Sequence, residues 1–192
     1  MNNMEKIYDI LDNTLYATLA LVKGIVPYSV PVNFVRIDKF LYFHGSKNGK
    51  KMNFIDINKN VSLSIVKPYS IIPSYFSSNS GLACPATHFF SSVIIDGTAT
   101  IITNPQTKTN VLNALMSKLQ KEGGYQNLNN NIYKNRINNT AIVKITPYNF
   151  TIKEKFGQKL PQERFSMIIK KLTKRGSKLD LQTIDKMLKL KA

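Results

Sequence analysis

The sequence contains few of the residues that build metal centres and disulfides. Its 192 residues include one cysteine, Cys84, and two histidines, His44 and His88. A single cysteine excludes an internal disulfide framework and suits a reducing compartment, so we expect a cytoplasmic protein. Metal sites need several Cys or His side chains at short spacing, and the sequence has no such cluster. We therefore expect no metal.

Long apolar runs are also lacking. No stretch reaches the roughly 18 residues that a membrane-spanning helix needs, so no membrane partner is expected. The N-terminal segment carries Glu5 and Asp9 between short apolar stretches, unlike a secretory signal. The hydrophobic fraction of 43% is that of a globular chain, and the length fits one domain with a modest appendage.

Acidic residues are scarce. There are 11 Asp and Glu against 27 Lys and Arg, a formal net charge of +16. This excess has three interpretations: a nucleic-acid surface, an anionic small ligand, or a lysine-rich proteome without specific meaning. The lysines are scattered and accompany many Asn and Ile residues, which disfavours a nucleic-acid partner.

Hydrophobic periodicity predicts six β-strands. Apolar alternation bounded by turn residues marks the segments 15–22, 27–37, 40–44, 61–66, 89–102 and 140–155. The last segment is either one long strand or a strand pair interrupted near Pro147. The Pro- and Ser-rich segment 68–87 and the Asn-rich segment 126–139 are predicted to be irregular loops.

Helical spacing predicts an opening helix at 4–12, a short helix near 52–57 and a longer one after Asn104. Asn104 is a capping residue before Pro105, and Gly123 is expected to end this helix. The tail, 161–192, carries two amphipathic helices separated by Gly176. Their predicted apolar faces consist of Phe165, Ile168, Ile169 and Leu172, and of Leu181, Ile184, Met187 and Leu188.

Six antiparallel strands with inserted helices favour a mainly β protein with helices. The alternation of strand and long helix that builds a parallel sheet is missing. The expected fold is a six-stranded antiparallel Greek-key split barrel with C-terminal helices. We assign 1–155 to the barrel domain and 156–192 to a helical extension that packs on the barrel or on a dimer mate.

Five short motifs, taken together with their order and spacing, are similar to those of a known protein family. They are Tyr-Ala-Thr-Leu-Ala at 16–20, Pro-Tyr-Ser-Val-Pro-Val-Asn-Phe at 27–34, Tyr-Phe-His-Gly at 42–45, Gly-Lys-Lys at 49–51 and Ser-Ser-Val-Ile-Ile-Asp-Gly-Thr-Ala at 91–99. Together they resemble the pyridoxamine 5'-phosphate oxidase-like FMN-binding split-barrel proteins, and among them the nitroimidazole-reductase-like branch. The resemblance covers about 4–155.

The resemblance implies that Lys50 and Lys51 hold the FMN phosphate. Two cations at a helix start, behind Gly49, combine charge with free backbone N–H groups, which suits a phosphate. A solvated helix start is the alternative interpretation of the same residues.

The resemblance places the flavin ring on the second strand. Pro31 and Val32 would form a wall for the ring, and Asn33 and Phe34 would offer main-chain contacts. His44 and Gly45 would lie nearby, with His44 the one candidate catalytic residue. The alternatives are ordinary core packing for the strand and a satisfied polar side chain at a strand end for His44.

Three further residues complete the expected cofactor site. Ser91 and Ser92 are candidate hydroxyl donors to the ribityl chain or phosphate. Relatives often carry a charged residue at the position of Ser91, so Ser92 is the stronger candidate. The tail from Lys155 to Leu172 resembles a Lys-x-x-Gln…Glu-Arg ending in which the segment approaches the cofactor, which adds Gln158. Cys84 is expected to be an ordinary loop residue.

The function expected from the resemblance is an FMN-dependent oxidoreductase. It would take electrons from NAD(P)H and reduce a small organic acceptor, with nitroaromatic compounds among the candidates. The resemblance also implies a homodimer, because proteins of this family use two chains to build each flavin site. A non-catalytic flavin- or haem-binding protein is the alternative, with His44 or His88 as an axial ligand. A nucleic-acid-associated regulator is the third hypothesis.

Overall fold

The computed structural model describes residues 3–191. Positions 1, 2 and 192, which belong to the ends of the two predicted domains, lie outside the described residues. Within that range the chain forms six strands, six α-helices and two short 3-10 turns. In chain order these are α1 (Asn3–Asp12), β1 (Tyr16–Lys23), β2 (Val26–Ile37), β3 (Phe40–Ser46), α2 (Lys50–Ile57), β4 (Asn60–Ile72), β5 (Thr87–Ile102), α3 (Pro105–Leu119), α4 (Lys134–Asn139), β6 (Thr140–Lys155), α5 (Gln162–Arg175) and α6 (Lys178–Lys191).

The six strands close into a ring in the order β1-β2-β3-β6-β5-β4. β1, β2 and β3 form an antiparallel meander, and β3 continues antiparallel onto β6. The turn between β2 and β3 places Asp38 at a φ of 54°, a left-handed conformation that Asp tolerates better than most residues. The predicted barrel with C-terminal helices is confirmed, and 140–155 is one long strand.

The described chain divides into two compact units, each made of two sequence segments. The first unit comprises 3–65 and 93–151, and the second comprises 66–92 and 152–191. The first unit has a core of inward-facing strand residues that are completely buried: Leu19, Phe34, Phe43, Leu63, Val93, Ile95 and Val143. Their period of two follows from the strand geometry.

The second unit has its own core of aromatic and aliphatic side chains. The ring of Phe156 lies 4.8 Å from that of Tyr69 and 5.8 Å from that of Phe89. The predicted apolar face of α5 packs here through Phe165, Ile168 and Leu172. Gly176 ends α5 at a φ of 67°, as the sequence predicts.

Two segments predicted to be loops contain regular structure. β4 continues through Pro68 to Ile72 instead of ending at Val66. The ladder between β4 and β1 covers Ser62–Ser64, so the missing N–H of Pro68 removes no hydrogen bond from it. The Asn-rich segment ends in the six-residue helix α4, whose Ile137 is buried.

The end of α3 and the buried face of α6 also differ from the prediction. α3 ends at Leu119 with Gln120 as its cap, because Gln120 N–H bonds back to Met116, and Gly123 lies in the following turn. In α6, Leu181 and Leu188 are 58% and 53% exposed.

The buried face of α6 consists of Asp180, Thr183 and Met187. Asp180 accepts hydrogen bonds from Ser70 Oγ at 2.6 Å and Arg175 Nε at 2.9 Å, and the Thr183 hydroxyl bonds Ser70. Polar partners on β4 therefore set the rotation of this helix, which an apolar pattern does not reveal.

Candidate functional site

The segment between β3 and α2 brings His44, Gly45 and Lys51 together in the first unit. Gly45 has no side chain, and Lys51 crosses the space that one would occupy. A Cβ built on Gly45 would lie 2.5 Å from Lys51 Cε and 2.6 Å from Nζ, closer than real Cβ contacts. Glycine at 45 is therefore what allows the Lys51 ammonium to lie against the end of β3.

His44 is affected by the same lysine. Its pKa is lowered, chiefly because the surrounding protein partly removes water from the imidazole, although the residue reaches the surface, and also because Lys51 is close. At neutral pH this keeps His44 uncharged beside a fixed positive charge. An imidazole in this state can donate one hydrogen bond and accept another.

Lys50 and Lys51 diverge. Lys50 Nζ lies 4.5 Å from the centre of the Tyr28 ring, which itself packs on Phe54. Lys51 Nζ lies 6.0 Å from the Phe43 ring. Within residues 3–191 neither lysine forms a salt bridge to a carboxylate. The two predicted phosphate ligands thus point to different aromatic surfaces.

The start of α2 is uncapped by a side chain. Gly49 is the N-cap residue, and it has no side-chain acceptor for the first-turn N–H groups. These N–H groups carry the positive end of the helix dipole. Next to Lys51, these N–H groups make the start of α2 a local environment that favours an anion.

The four predicted ring contacts alternate along β2. Val32 and Phe34 are buried in the core, whereas Pro31 and Asn33 are exposed on the outer side. The side chains of Val32 and Phe34 are therefore used in packing. Asn33 Nδ2 donates to the Leu15 carbonyl at 3.1 Å, which fixes its amide.

Pro31 and Asn33 belong to an outer sheet surface without charge. In register across β1, β2 and β4, this uncharged face consists of Tyr16, Thr18, Ala20 and Val22, of Pro27, Ser29, Pro31 and Asn33, and of Ser62 and Ser64. None of them carries a charge at neutral pH, although the chain carries a net +16. Solvated sheet faces are normally rich in charged residues, so this face has the composition of a covered surface.

Ser91, Ser92 and Gln158 lie in the second unit. Ser91 is completely buried, and its hydroxyl is 3.4 Å from Glu154 Oε1. Ser92 is half-buried. The Gln158 amide donates to the Glu154 carbonyl at 2.8 Å and accepts from Phe156 N–H at 3.0 Å. Both polar ends of Gln158 are thus used within its own turn.

Sequence reasoning missed Lys108. This α3 lysine is only 4% exposed and donates to the Asn138 carbonyl at 3.1 Å. It lines a cavity of about 430 Å³ together with Lys47, and burial followed by repulsion from Lys47 lowers its pKa. No spacing in the sequence identifies it, because the cavity is formed by residues distant along the chain.

Residues 3–191 lack two features: a helix that could span a membrane and a cluster of side chains that could hold a metal ion. No helix in 3–191 combines the length and the apolar character needed to cross a bilayer. In the same range, no three His, Cys, Asp or Glu side chains lie close enough to hold a metal ion.

Comparison with known proteins identifies one family. The family model described as pyridoxamine 5'-phosphate oxidase matches residues 3–154. No curated protein matches the chain.

Solved structures share the fold. A candidate 5-nitroimidazole antibiotic resistance protein from Bacteroides thetaiotaomicron is 18% identical, with a TM-score of 0.64 over 79% of this chain and 84% of that one. An FAD- and haem-binding protein from Mycobacterium smegmatis is 19% identical, with a TM-score of 0.64 over 81% and 72%. A candidate pyridoxamine 5'-phosphate oxidase from Listeria innocua is 18% identical, with a TM-score of 0.53 over 80% and 100%. At these identities the likeness establishes the fold.

Proposed function

The chain belongs to the pyridoxamine 5'-phosphate oxidase family, and from this premise we propose that it is a cytoplasmic FMN-dependent oxidoreductase that acts as a homodimer. The observation that carries the proposal is that the Lys51 side chain lies over the backbone of Gly45, in the space that a side chain at position 45 would fill. A lysine held against the backbone beside an uncapped helix start suits a phosphate group.

The phosphate end fits these residues. Lys51 Nζ and the first-turn N–H groups of α2 would bind the phosphate oxygens, since charged donors and backbone N–H groups both favour an anion. Lys50 lies over the Tyr28 ring and would add charge at longer range.

The flavin ring fits the outer side of β2. Pro31 offers an apolar surface there, Asn33 offers a fixed amide, and the backbone of Val32 and Phe34 would supply main-chain hydrogen bonds. All four residues lie on or beside the uncharged face. A second copy of the chain would cover this face, as the homodimer proposal requires.

When bound, FMN supplies the redox chemistry, taking electrons from NAD(P)H and passing them to a small organic acceptor. The chain's own residues bind and orient it. His44 would hold a proton on one imidazole nitrogen near the acceptor, and its lowered pKa keeps it neutral for that role. The likeness to the B. thetaiotaomicron protein makes nitroaromatic compounds the first acceptors to test.

Anaerobic reduction tests the catalytic part of the proposal. Protein loaded with FMN is mixed with NADPH or NADH, and a nitroaromatic acceptor is added after the flavin absorbance has bleached. We expect bleaching at a catalytic rate and recovery of the oxidised spectrum on addition of the acceptor. Failure of both nucleotides to reduce bound FMN would contradict an NAD(P)H-dependent enzyme.

A non-catalytic carrier of flavin or haem is the second candidate. It is favoured by the shared fold with the M. smegmatis protein, which binds FAD and haem. His44 is exposed at the end of β3 and could ligate haem iron. A Soret band after incubation with haemin, lost in His44→Ala, would support this candidate over the flavin enzyme.

A further inference from the structure

The second unit contains a large cavity at the end of β6. Its volume is about 860 Å³, which is within the range of small-molecule sites. Strands β5 and β6, the turn after β6 and α5 all contribute to its walls. All of its lining residues belong to the second unit, so the cavity is complete within that unit.

One part of the cavity is apolar. Phe89, Phe90, Leu160 and Ile168 line it. Phe89 and Ile168 also belong to the buried core of the unit, so this wall is fixed by packing. Such a surface binds rings and aliphatic groups by removing them from water.

The other part is cationic. Lys153, Lys155, Lys159 and Arg164 line the same cavity. Its one carboxylate, Glu154, forms a salt bridge with Lys186 at 3.0 Å, and this leaves the positive charges in excess.

Arg164 is held in place. Its Nε donates to the Ser77 carbonyl at 3.1 Å and its Nη2 to the Ser77 hydroxyl at 3.3 Å. Ser77 is buried, so the guanidinium is oriented by the wall. Arg164 Nη1 donates no hydrogen bond to any residue in 3–191 and can bind an anionic oxygen.

We propose that this cavity binds an organic anion whose body is an aromatic ring system, with its carboxylate on Arg164 and its ring against the apolar wall that contains Phe89 and Leu160. Every residue that lines this cavity belongs to the second unit, whereas Lys51 and the start of α2, which are proposed to bind the FMN phosphate, belong to the first. Gln158 also borders the cavity, but its amide is used within its own turn.

The single cysteine provides a direct reporter. Cys84 is exposed, lines the cavity and is the only thiol in the sequence. Its alkylation rate with iodoacetamide, a neutral reagent, is measured with increasing 2-naphthoate or the uncharged 2-naphthamide. We expect saturable protection by naphthoate and an apparent Kd for naphthamide that is about tenfold weaker, the value of one charge-assisted interaction. Equal protection by both probes, or by neither, would overturn the proposal.

Variants locate the anion contact. Arg164→Gln is expected to weaken naphthoate protection by about tenfold. Arg136→Gln, on α4 of the first unit, is the matched control and should leave it unchanged. If Arg164→Gln does not fold by circular dichroism, the double variant Lys155→Gln and Lys159→Gln removes two charges that are exposed. Unchanged protection in the folded cavity variants would contradict the assignment.

Competition separates this site from the flavin site. FMN affinity is measured by flavin fluorescence with and without saturating naphthoate. We expect the same affinity in both cases, and the same naphthoate protection in a variant whose FMN binding is weakened, Lys51→Gln. A linear rise of the apparent FMN Kd with naphthoate would mean that FMN occupies the cavity, and the proposal of a separate site would fail.

Discussion

At the scale of single residues, the absence of a side chain at Gly45 leaves room for the Lys51 ammonium. Its backbone is not in the left-handed region, so alanine is tolerated conformationally. The added methyl group would displace the Lys51 ammonium. We expect Gly45→Ala to weaken FMN binding about tenfold while changing the unfolding free energy by less than about 1 kcal/mol. Fluorescence titration and urea denaturation measure the two effects, and an unchanged FMN affinity would contradict this role.

Lys118 is the residue with the clearest expected titration. Its Nζ donates to the carbonyls of Leu11 and Phe34 at 2.9 and 3.1 Å, and burial lowers its pKa to about 8. Between this pKa and the ordinary value of 10.5, the unfolded chain binds more protons, so stability attributable to Lys118 rises with pH there. NMR titration of ¹³Cε-labelled lysine should show one resonance with a midpoint near 8 that is missing in Lys118→Arg. A midpoint above 10 would contradict it.

The sequence predicts which residues lie near the candidate phosphate site, but not the directions in which their side chains point. The Gly-Lys-Lys motif locates an uncapped helix start, and the structure has α2 beginning there. The divergence of Lys50 from Lys51 depends on the Tyr28 and Phe43 rings, which lie on different strands. A one-dimensional pattern does not contain such cross-strand geometry.

At the scale of elements, the strands and most helix positions follow from periodicity and capping. Asn104, for example, accepts a hydrogen bond from Thr107 N–H at 2.9 Å, as a capping residue before Pro105 should. The element that departs most from its pattern is α6, because its buried side contains Asp180 and Thr183. Tertiary hydrogen bonds to Ser70 decide this face, and no local signal predicts them.

The α6 network predicts a measurable loss of stability. Arg175 and Ser70 hold the pKa of Asp180 well below its ordinary value, so its contribution is complete at neutral pH and is lost as the pH falls below about 4 towards the folded-state pKa. We expect Asp180→Asn to cost about 2–3 kcal/mol of unfolding free energy at pH 7, reduced from a fully buried pair because Arg175 is partly exposed.

Urea denaturation at pH 7 and pH 3 measures this effect. Asp185→Asn, whose partner Lys189 is exposed, is the control and should change stability by less than about 0.5 kcal/mol. The difference between Asp180→Asn and the unmodified protein should shrink at pH 3. A difference that is as large at pH 3 as at pH 7 would mean that the Asp180 charge contributes nothing.

At the scale of the whole molecule, the uncharged face is a feature that the overall composition does not predict. The chain is strongly basic, yet the register of β1, β2 and β4 gathers ten uncharged residues on one outer surface. The strands were predictable one by one, but their register was not. The proposed homodimer would cover this face, and that would explain why it lacks the charges that solvent-facing strands normally carry.

Charge placed on this face should separate the subunits. Thr18 lies between Pro31 and Ser64 at the middle of the face. We expect Thr18→Lys to be a folded monomer by light scattering and to bind FMN much more weakly, because the interface would bury an unpaired charge. Thr173→Lys, on an exposed position of α5, is the matched control and should stay dimeric. A dimeric Thr18→Lys protein would place the interface elsewhere.

FMN titration of the unmodified protein and of Lys51→Gln tests the central claim most directly, with Lys39→Gln, in the exposed turn between β2 and β3, as the charge-matched control. Quenching of flavin fluorescence gives affinity and stoichiometry. We predict saturable binding of one FMN per chain at micromolar concentration or below, unchanged in Lys39→Gln and about tenfold weaker in Lys51→Gln. Failure of the unmodified protein to bind FMN in this range, or equal binding by Lys51→Gln, would contradict the account.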